Sequence, residues 1–277
     1  MKELKAFVSE ALAEDIGQGD VTTRATIDEA ARCHAWIIAK QDGILSGVRP
    51  FRMVFETLNA DIEHWEALPD GAHFKKGSRL IEFSGRTRAI LMGERVALNF
   101  LQRLSGVATL TGEYIKAVEG YGIKICDTRK TTPLMRKLQK EAVVHGGGSN
   151  HRYALFDGVL IKENHIVGAG GIRQAVARAS EGTHHLMKIG VEVTTLEELD
   201  EAVEAGAEAV LLDNMDLDTM RQAVERLKGT KIITEASGNV TLSRVRDIAA
   251  TGVHLVSVGA LTHSAHALDL SLVIKNA

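Results

Sequence analysis

The sequence predicts an α/β protein in two parts: a mixed α and β region, then a parallel α/β barrel. From about Gly106 onward, short apolar runs alternate with amphipathic helical stretches, which implies parallel strands joined by helical crossovers. Five of the six apolar runs close on charged residues, and a parallel barrel gathers all its strand C-termini on one face. The residues before Gly106 lack that rhythm and read as an α+β layer.

Taken in order, MKELKAFVSEALAED places Leu4, Phe7, Val8, Ala11 and Leu12 on one helical stripe, and its acidic residues do not suit a signal peptide. CHAWIIAK reads as a strand, VRPFRMVFETL as a helix, and IEHWEAL and SRLIEFSG as strands joined through PDGAHFKKG. An apolar helix follows from Arg88 to Leu104, with Ser105-Gly106 as punctuation. In the second part the strands are IKIC, GVLI, LMKIGVEV, EAVLL, KIIT and HLVSVGA, separated by helices such as IRQAVARA, TLEELDEAVEAG and TLSRVRDIAATG. Thr194-Thr195 and Asn239 with Thr241 supply N-cap chemistry, and Gly206 and Gly252 stand where helices stop. An open doubly wound sheet would show the same alternation; the charged strand ends favour the barrel.

Composition removes several function classes. The 277 residues carry 45% hydrophobic and 25% charged side chains and a net charge of −3, so there is no basic footprint for nucleic acid. At 4% aromatic content, base-stacking platforms are scarce. No apolar run reaches the length of a membrane span, and no membrane partner is expected. Cys33 and Cys126 are far apart without metal spacing, which suits a reducing cytoplasm and makes Cys126 a core residue. Neither a G-x-x-x-x-G-K-[ST] loop nor a G-x-G-x-x-G fingerprint occurs. His184-His185 reads as a surface pair, and Ser257 and Ser264 lack triad partners.

The chemistry concentrates between Lys124 and Lys162. Arg129, Lys130, Arg136, Lys137, Lys140, Arg152 and Lys162 gather there with His145 and His151, and only Glu141 and Asp157 oppose them between Arg129 and Lys162. Such a cluster in a slightly acidic chain points to a pocket for a small polyanion. Arg136, Lys137 and Lys140 read as solvated helix faces. The others stand at or near strand ends. Those ends are Asp127 with Arg129 and Lys130, Lys162 with Asn164, Glu192, Asp213 with Asn214, Glu235 with Ser237, and Gly259. Arg129 and Arg152 are suited to bidentate grip of carboxylates or phosphates, Lys130 and Lys162 to act as point charges. Glu192 and Asp213 need a cation, either Mg²⁺ or the hydroxyls and developing positive charge of a sugar; pairing with nearby lysines is the structural alternative. Gly238 and Gly259 permit a phosphate cradle, though a plain turn accounts for them equally well.

EDIGQGDVTT, ERVALNFLQRLSGVATLT, DTRKTTP, GGGSNHR, DGVLIKENHI, VEVTTLEEL, LLDN, EASGN and VGALTHS occur together and in this order. From about Glu14 to the C-terminus the chain resembles the quinolinate phosphoribosyltransferase family, also called carboxylating nicotinate-nucleotide pyrophosphorylases. The resemblance implies an N-terminal α/β sandwich over 1–104, rejoined by 266–277, and an incomplete α/β barrel over 105–265. It implies transfer of phosphoribosyl from phosphoribosyl pyrophosphate to quinolinate with decarboxylation, giving nicotinate mononucleotide on the de novo route to NAD. By the same resemblance, Arg129, His151, Arg152 and Lys162 line the quinolinate carboxylates, with Lys130 near the pyrophosphate. Glu192 and Asp213 are placed at the ribose and Mg²⁺, and Ser237, Gly238 and Gly259 at the 5′-phosphate. Lys130, Lys162, Glu192 and Asp213 carry the chemistry, and Arg95 of the ER motif crosses a homodimer interface into the partner's site. Gly190 departs from the pattern, since many relatives carry a second acid there. Rival readings are a paralogous phosphoribosyltransferase for another aromatic acid, a non-catalytic phosphate-binding barrel, and a sugar-phosphate isomerase, which would need fewer cations.

Overall fold

The computed structural model describes residues 2–276, which form two compact units. The first comprises the chain through Leu110, Val144–Gly147 and the chain from Ala265 onward; the second comprises Thr111–Val143 and Gly148–Ser264.

In the first unit, α1 (Lys2–Ile16) buries Val8 and Leu12 of its apolar stripe, and Asp20 caps the short α2 (Val21–Thr26). Then come β1 (Arg32–Ala39), β2 (Gly43–Ile44), α3 (Val48–Thr57), β3 (Glu63–Ala67), β4 (His73–Phe74) and β5 (Arg79–Arg86). β1 alternates strictly, turning Cys33, Ala35, Ile37 and Ala39 inward. An antiparallel sheet forms from β1, β5, β3 and the C-terminal strand Leu270–Asn276, which pairs with β1 from Cys33↔Asn276 to Ala39↔Leu270. Phe51 and Phe55 of α3 pack against Phe83 of β5, with the Phe55 and Phe83 rings 5.0 Å apart. Full burial of each such ring is worth roughly 1.5–3 kcal/mol.

The following helix, α4, runs unbroken from Thr87 to Ala117, so it does not stop at Leu104 as the sequence suggested. Gly106 is there for close approach: a Cβ at that position would lie 1.9 Å from the His266 carbonyl oxygen.

The second unit continues with β6 (Lys124–Cys126), α5 (Arg136–His145), β7 (Val159–Ile161), α6 (Glu163–Ala169), α7 (Ile172–Gly182), β8 (Ile189–Val193), α8 (Leu196–Glu204), β9 (Ala209–Asp213), α9 (Leu217–Arg226), β10 (Ile233–Ser237), α10 (Val245–Ala249), β11 (Leu255–Ser257) and α11 (Ala260–His263); Leu270–Asn276 is β12. Its six strands are all parallel in the order β6-β11-β10-β9-β8-β7. β6 and β7 stand at the two edges without pairing, so the barrel is incomplete. Thr195 accepts from the Glu198 N–H as the N-cap of α8, and Gly206 and Gly252 take positive φ after their helices. The Asn239–Thr241 cap does not form. α10 begins later, with Arg244 at its N-cap position and no side-chain cap.

Candidate active site

Parallel register decides which strand residues share a face. Glu192 lies beside Leu211 and Leu211 beside Glu235; one pleat further on, Asp213 lies beside Ser237. All five line one cavity of about 400 Å³ in the second unit, while the alternate residues Val193, Leu212 and Ala236 are fully buried on the other face. The loops after β6 and before β7 add Thr128, Arg129, Lys130, His151 and Arg152, and Lys162 follows β7 directly.

The cavity therefore gathers Arg129, Lys130, His151, Arg152, Lys162, Glu192, Asp213, Ser237 and Gly238, all singled out by sequence. Arg95 and Gly259 are not among its lining residues. Arg95 is exposed on α4 within the first unit. Gly259 adopts helical dihedrals, and a Cβ there would come within 3.1 Å of the Lys130 side chain, so its smallness makes room for that lysine.

Opposite charges are arranged unevenly. The Lys162 ammonium is ion-paired with Glu192, the arrangement the sequence reading held as the structural alternative for these carboxylates. Asp213 instead accepts from the Asn214 amide at 2.9 Å, and Asn214 accepts from Asn239 at 2.9 Å. Both asparagines have positive φ, as does Gly238, whose missing Cβ would collide with the Asn214 side chain at 2.3 Å. Burial, and then the nearby Arg129, push the Arg152 guanidinium below its usual pKa; Arg152 also donates to the Gly158 carbonyl at 2.7 Å. Two guanidiniums brought together this way favour an anion with more than one negative charge.

Sequence reasoning noted Glu235 as a strand end but gave it no role. It is 8% exposed, its Oε2 lies 3.4 Å from His151 Nε2, and its Oε1 has no partner. A buried carboxylate oxygen left unpaired beside a cavity is costly, and a ligand hydroxyl or cation would satisfy it. Lys140 also departs from expectation. Instead of lying on a solvated helix face, it is 3% exposed and ion-paired with the fully buried Asp127. Arg136 is half-buried and braces the loop, donating to Thr131 Oγ1 at 3.0 Å, whereas Lys137 is exposed as expected. Cys126 is a core residue: burial, then the Glu235 and Asp127 carboxylates, push its thiol up to about 12. His184 and His185 are exposed.

Magnesium fits as an ion carried by a substrate. Among the described residues, no three His, Cys, Asp or Glu side chains converge as a metal-holding group. Glu192 and Asp213 in one cavity make the sparse carboxylate set that suits Mg²⁺ shared with phosphate oxygens.

The model of the quinolinate phosphoribosyl transferase C-terminal domain matches residues 107–273, and that of the N-terminal domain matches 20–105. This chain belongs to the quinolinate phosphoribosyltransferase family. Among curated family members, it is 43% identical to the probable nicotinate-nucleotide pyrophosphorylase [carboxylating] of Bacillus subtilis, over 98% of this chain and 93% of that one. It is 44% identical to the chloroplastic nicotinate-nucleotide pyrophosphorylase [carboxylating] of Arabidopsis thaliana, over 98% and 83%. Among solved family members, the nicotinate-nucleotide pyrophosphorylase from Francisella tularensis superposes with a TM-score of 0.94 at 41% identity, covering 99% and 96%. NadC from Streptococcus pyogenes gives 0.93 at 36%, covering 98% and 96%. The family fold, an antiparallel sheet domain plus an incomplete parallel barrel, is the fold described above.

Proposed function

We propose that this cavity joins quinolinate to phosphoribosyl pyrophosphate and decarboxylates the product, yielding nicotinate mononucleotide, pyrophosphate and CO₂ for de novo NAD synthesis. The observation that carries the reading is the pairing of Arg129 with a half-buried Arg152 whose pKa is depressed, in one cavity with Lys130, Lys162 and His151. Quinolinate is a dianion of matching charge, and bidentate guanidinium–carboxylate pairs hold a planar ring in one orientation.

Arg129, His151, Arg152 and Lys162 grip the two carboxylates and present the ring nitrogen to the anomeric carbon of the ribose. Positioning of this kind supplies much of the acceleration, because effective molarities are large. As the C–O bond to pyrophosphate breaks, the bonding pair leaves with the pyrophosphate, and Lys130 balances its charge. Positive charge develops on the ribose, where the Glu192 and Asp213 carboxylates stabilise it; Glu235 adds a third nearby. Ser237 and Gly238 hold the 5′-phosphate, and Gly259 leaves room for Lys130. Once alkylated, the pyridinium accepts the electron pair of the breaking bond to the 2-carboxylate, CO₂ departs, and the ring carbon takes a proton. Glu192 and Asp213 would hold Mg²⁺ together with the diphosphate, and the ion would supply charge neutralisation for the leaving group.

The reading includes a homodimer in which Arg95 completes the partner's cavity. Its support is the exposure of Arg95, and of Leu134, Leu155 and Phe156 at 72–81%, apolar surface of the kind a second copy covers. It also includes a cytoplasmic setting, supported by two free, buried cysteines. No helix among the described residues is long and apolar enough to cross a membrane.

The test is an assay with phosphoribosyl pyrophosphate and Mg²⁺, offering quinolinate or nicotinate. Nicotinate mononucleotide with CO₂ release from quinolinate alone is expected. Turnover with neither acid would remove the substrate assignment.

A further inference from the structure

Both peptide groups of His151 are held by one buried ion pair. Asp127, fully buried at the end of β6, uses Oδ1 to accept the His151 N–H at 2.9 Å. Lys140 of α5 is ion-paired with the same Oδ1 and donates to the His151 carbonyl at 2.9 Å. Assigning the Asn150 amide by its hydrogen-bonding neighbours turns its nitrogen toward Asp127, where it can donate to Oδ2 at 2.6 Å and to the Lys140 carbonyl at 3.1 Å. The preceding residue, Ser149, continues the tie to β6: its N–H donates to Ile125 and its carbonyl accepts from Asp127.

Downstream, His151 Nδ1 accepts the Arg152 N–H at 2.8 Å, so the two cavity side chains leave a backbone fixed on both sides. Neither Asp127 nor Lys140 lines the cavity. Buried ion pairs are seldom the most stable way to fill a core, since an apolar pair of similar volume does as well or better. What an apolar pair lacks is a directional acceptor for one peptide N–H and a directional donor for the next carbonyl. That function is specific to this place.

We propose that Asp127 and Lys140 form a buried positioning pair that fixes the backbone at His151, and thereby aims the His151 imidazole and the Arg152 guanidinium at the quinolinate carboxylates. The proposal rests on the reading of His151 and Arg152 as quinolinate ligands given above. Its effect should be selective: displacing this segment loosens the grip on the acid and leaves the Asp213–Asn214–Asn239 side of the cavity intact.

The decisive protein is the double variant Asp127→Leu/Lys140→Met, which removes both charges together so that neither is left buried alone. Steady-state kinetics are measured for each substrate beside Arg152→Ala, with melting temperatures as the control for folding. The expected result is a quinolinate KM raised about 10- to 100-fold, consistent with ligands displaced by an ångström or less, while the KM for phosphoribosyl pyrophosphate changes less than about threefold. Placed on the Arg152→Ala background, the double change should add much less than its own effect, because both act on one grip.

If Arg152→Ala raises the quinolinate KM and the double variant does not, the positioning role is overturned while the pocket assignment stands. A rise in both KM values by the same factor overturns it as well. If Arg152→Ala leaves quinolinate use unchanged, the pocket assignment fails and the positioning role falls with it. Should the double variant not fold, Asp127→Asn, which keeps shape and one acceptor oxygen, carries the same comparison. A quinolinate KM raised severalfold supports the pair, and an unchanged one overturns it.

Discussion

The two sheets of this protein obey the same alternation and put their polar residues to different use. In the antiparallel sheet, polar side chains form scattered, solvent-facing pairs such as Arg32 with Asp61 and Glu63, or Glu82 with His34 and Arg79. In the parallel sheet, Lys162, Glu192, Asp213 and Glu235 converge on one cavity. Strand direction explains the contrast. Antiparallel neighbours end at opposite edges, so their terminal residues disperse, whereas parallel neighbours all end together and their last residues become neighbours. The first sheet spends its alternation on an aromatic core, the second on a site.

That contrast can be broken from either side. The largest expected effect is on the antiparallel side: Phe83→Ala, which removes a fully buried ring packed on Phe51, Phe55 and Trp65, should cost about 3–5 kcal/mol. Denaturant unfolding would show it, and the quinolinate KM of the folded protein should not move. A changed KM would mean the sheets are not separable in this way.

Arg129→Ala should do the reverse, lowering kcat/KM about 100- to 1000-fold with little change in melting temperature. If Arg95 acts across a dimer interface, mixing with Arg95→Ala subunits under conditions of exchange should restore part of the activity, since some heterodimers would then carry one intact site. No recovery despite demonstrated exchange would count against a shared site.

A smaller effect is expected at Thr195→Ala, which removes the N-cap of α8 on the parallel side. The loss should be about 1 kcal/mol of stability with unchanged kinetics, separating the scaffold of this unit from its strand ends. The smallest effect concerns the cysteines. Burial raises the pKa of Cys33 in the antiparallel sheet, while burial and then the Glu235 and Asp127 carboxylates push Cys126 in the parallel sheet up to about 12. Raising the pH from 8 to 10 converts an ordinary thiol fully to thiolate. Native Cys126 should stay almost unalkylated over that range, and rapid labelling at pH 9 would refute the burial and charge pattern described for the end of β6.

The strand ends were legible because the signal is local. An apolar run followed by Lys162, or by Asp213-Asn214, announces a buried strand reaching a polar end wherever the rest of the chain lies. The N-cap at Thr195 and the stop at Gly206 were legible for the same reason. Gly106 was misread because a glycine that ends a helix and one that lets His266 approach are identical in sequence. Asn239 was misread as a cap because its side chain answers to Asn214, twenty-five residues away.

By itself, then, the sequence determined the alternation of strands and helices, the cation-rich segment from Lys124 to Lys162, and the residues that close each strand, because hydrophobic periodicity and local charge are properties of neighbours along the chain. The family resemblance added the roles of those residues. Only the tertiary structure decided that Lys140 is buried on Asp127, that Glu235 carries an unpaired oxygen beside the cavity, and that Arg152 is held near Arg129. Each depends on which residues distant in sequence are brought together, and on how much water is left around them, and a charge has no fixed meaning until that is known.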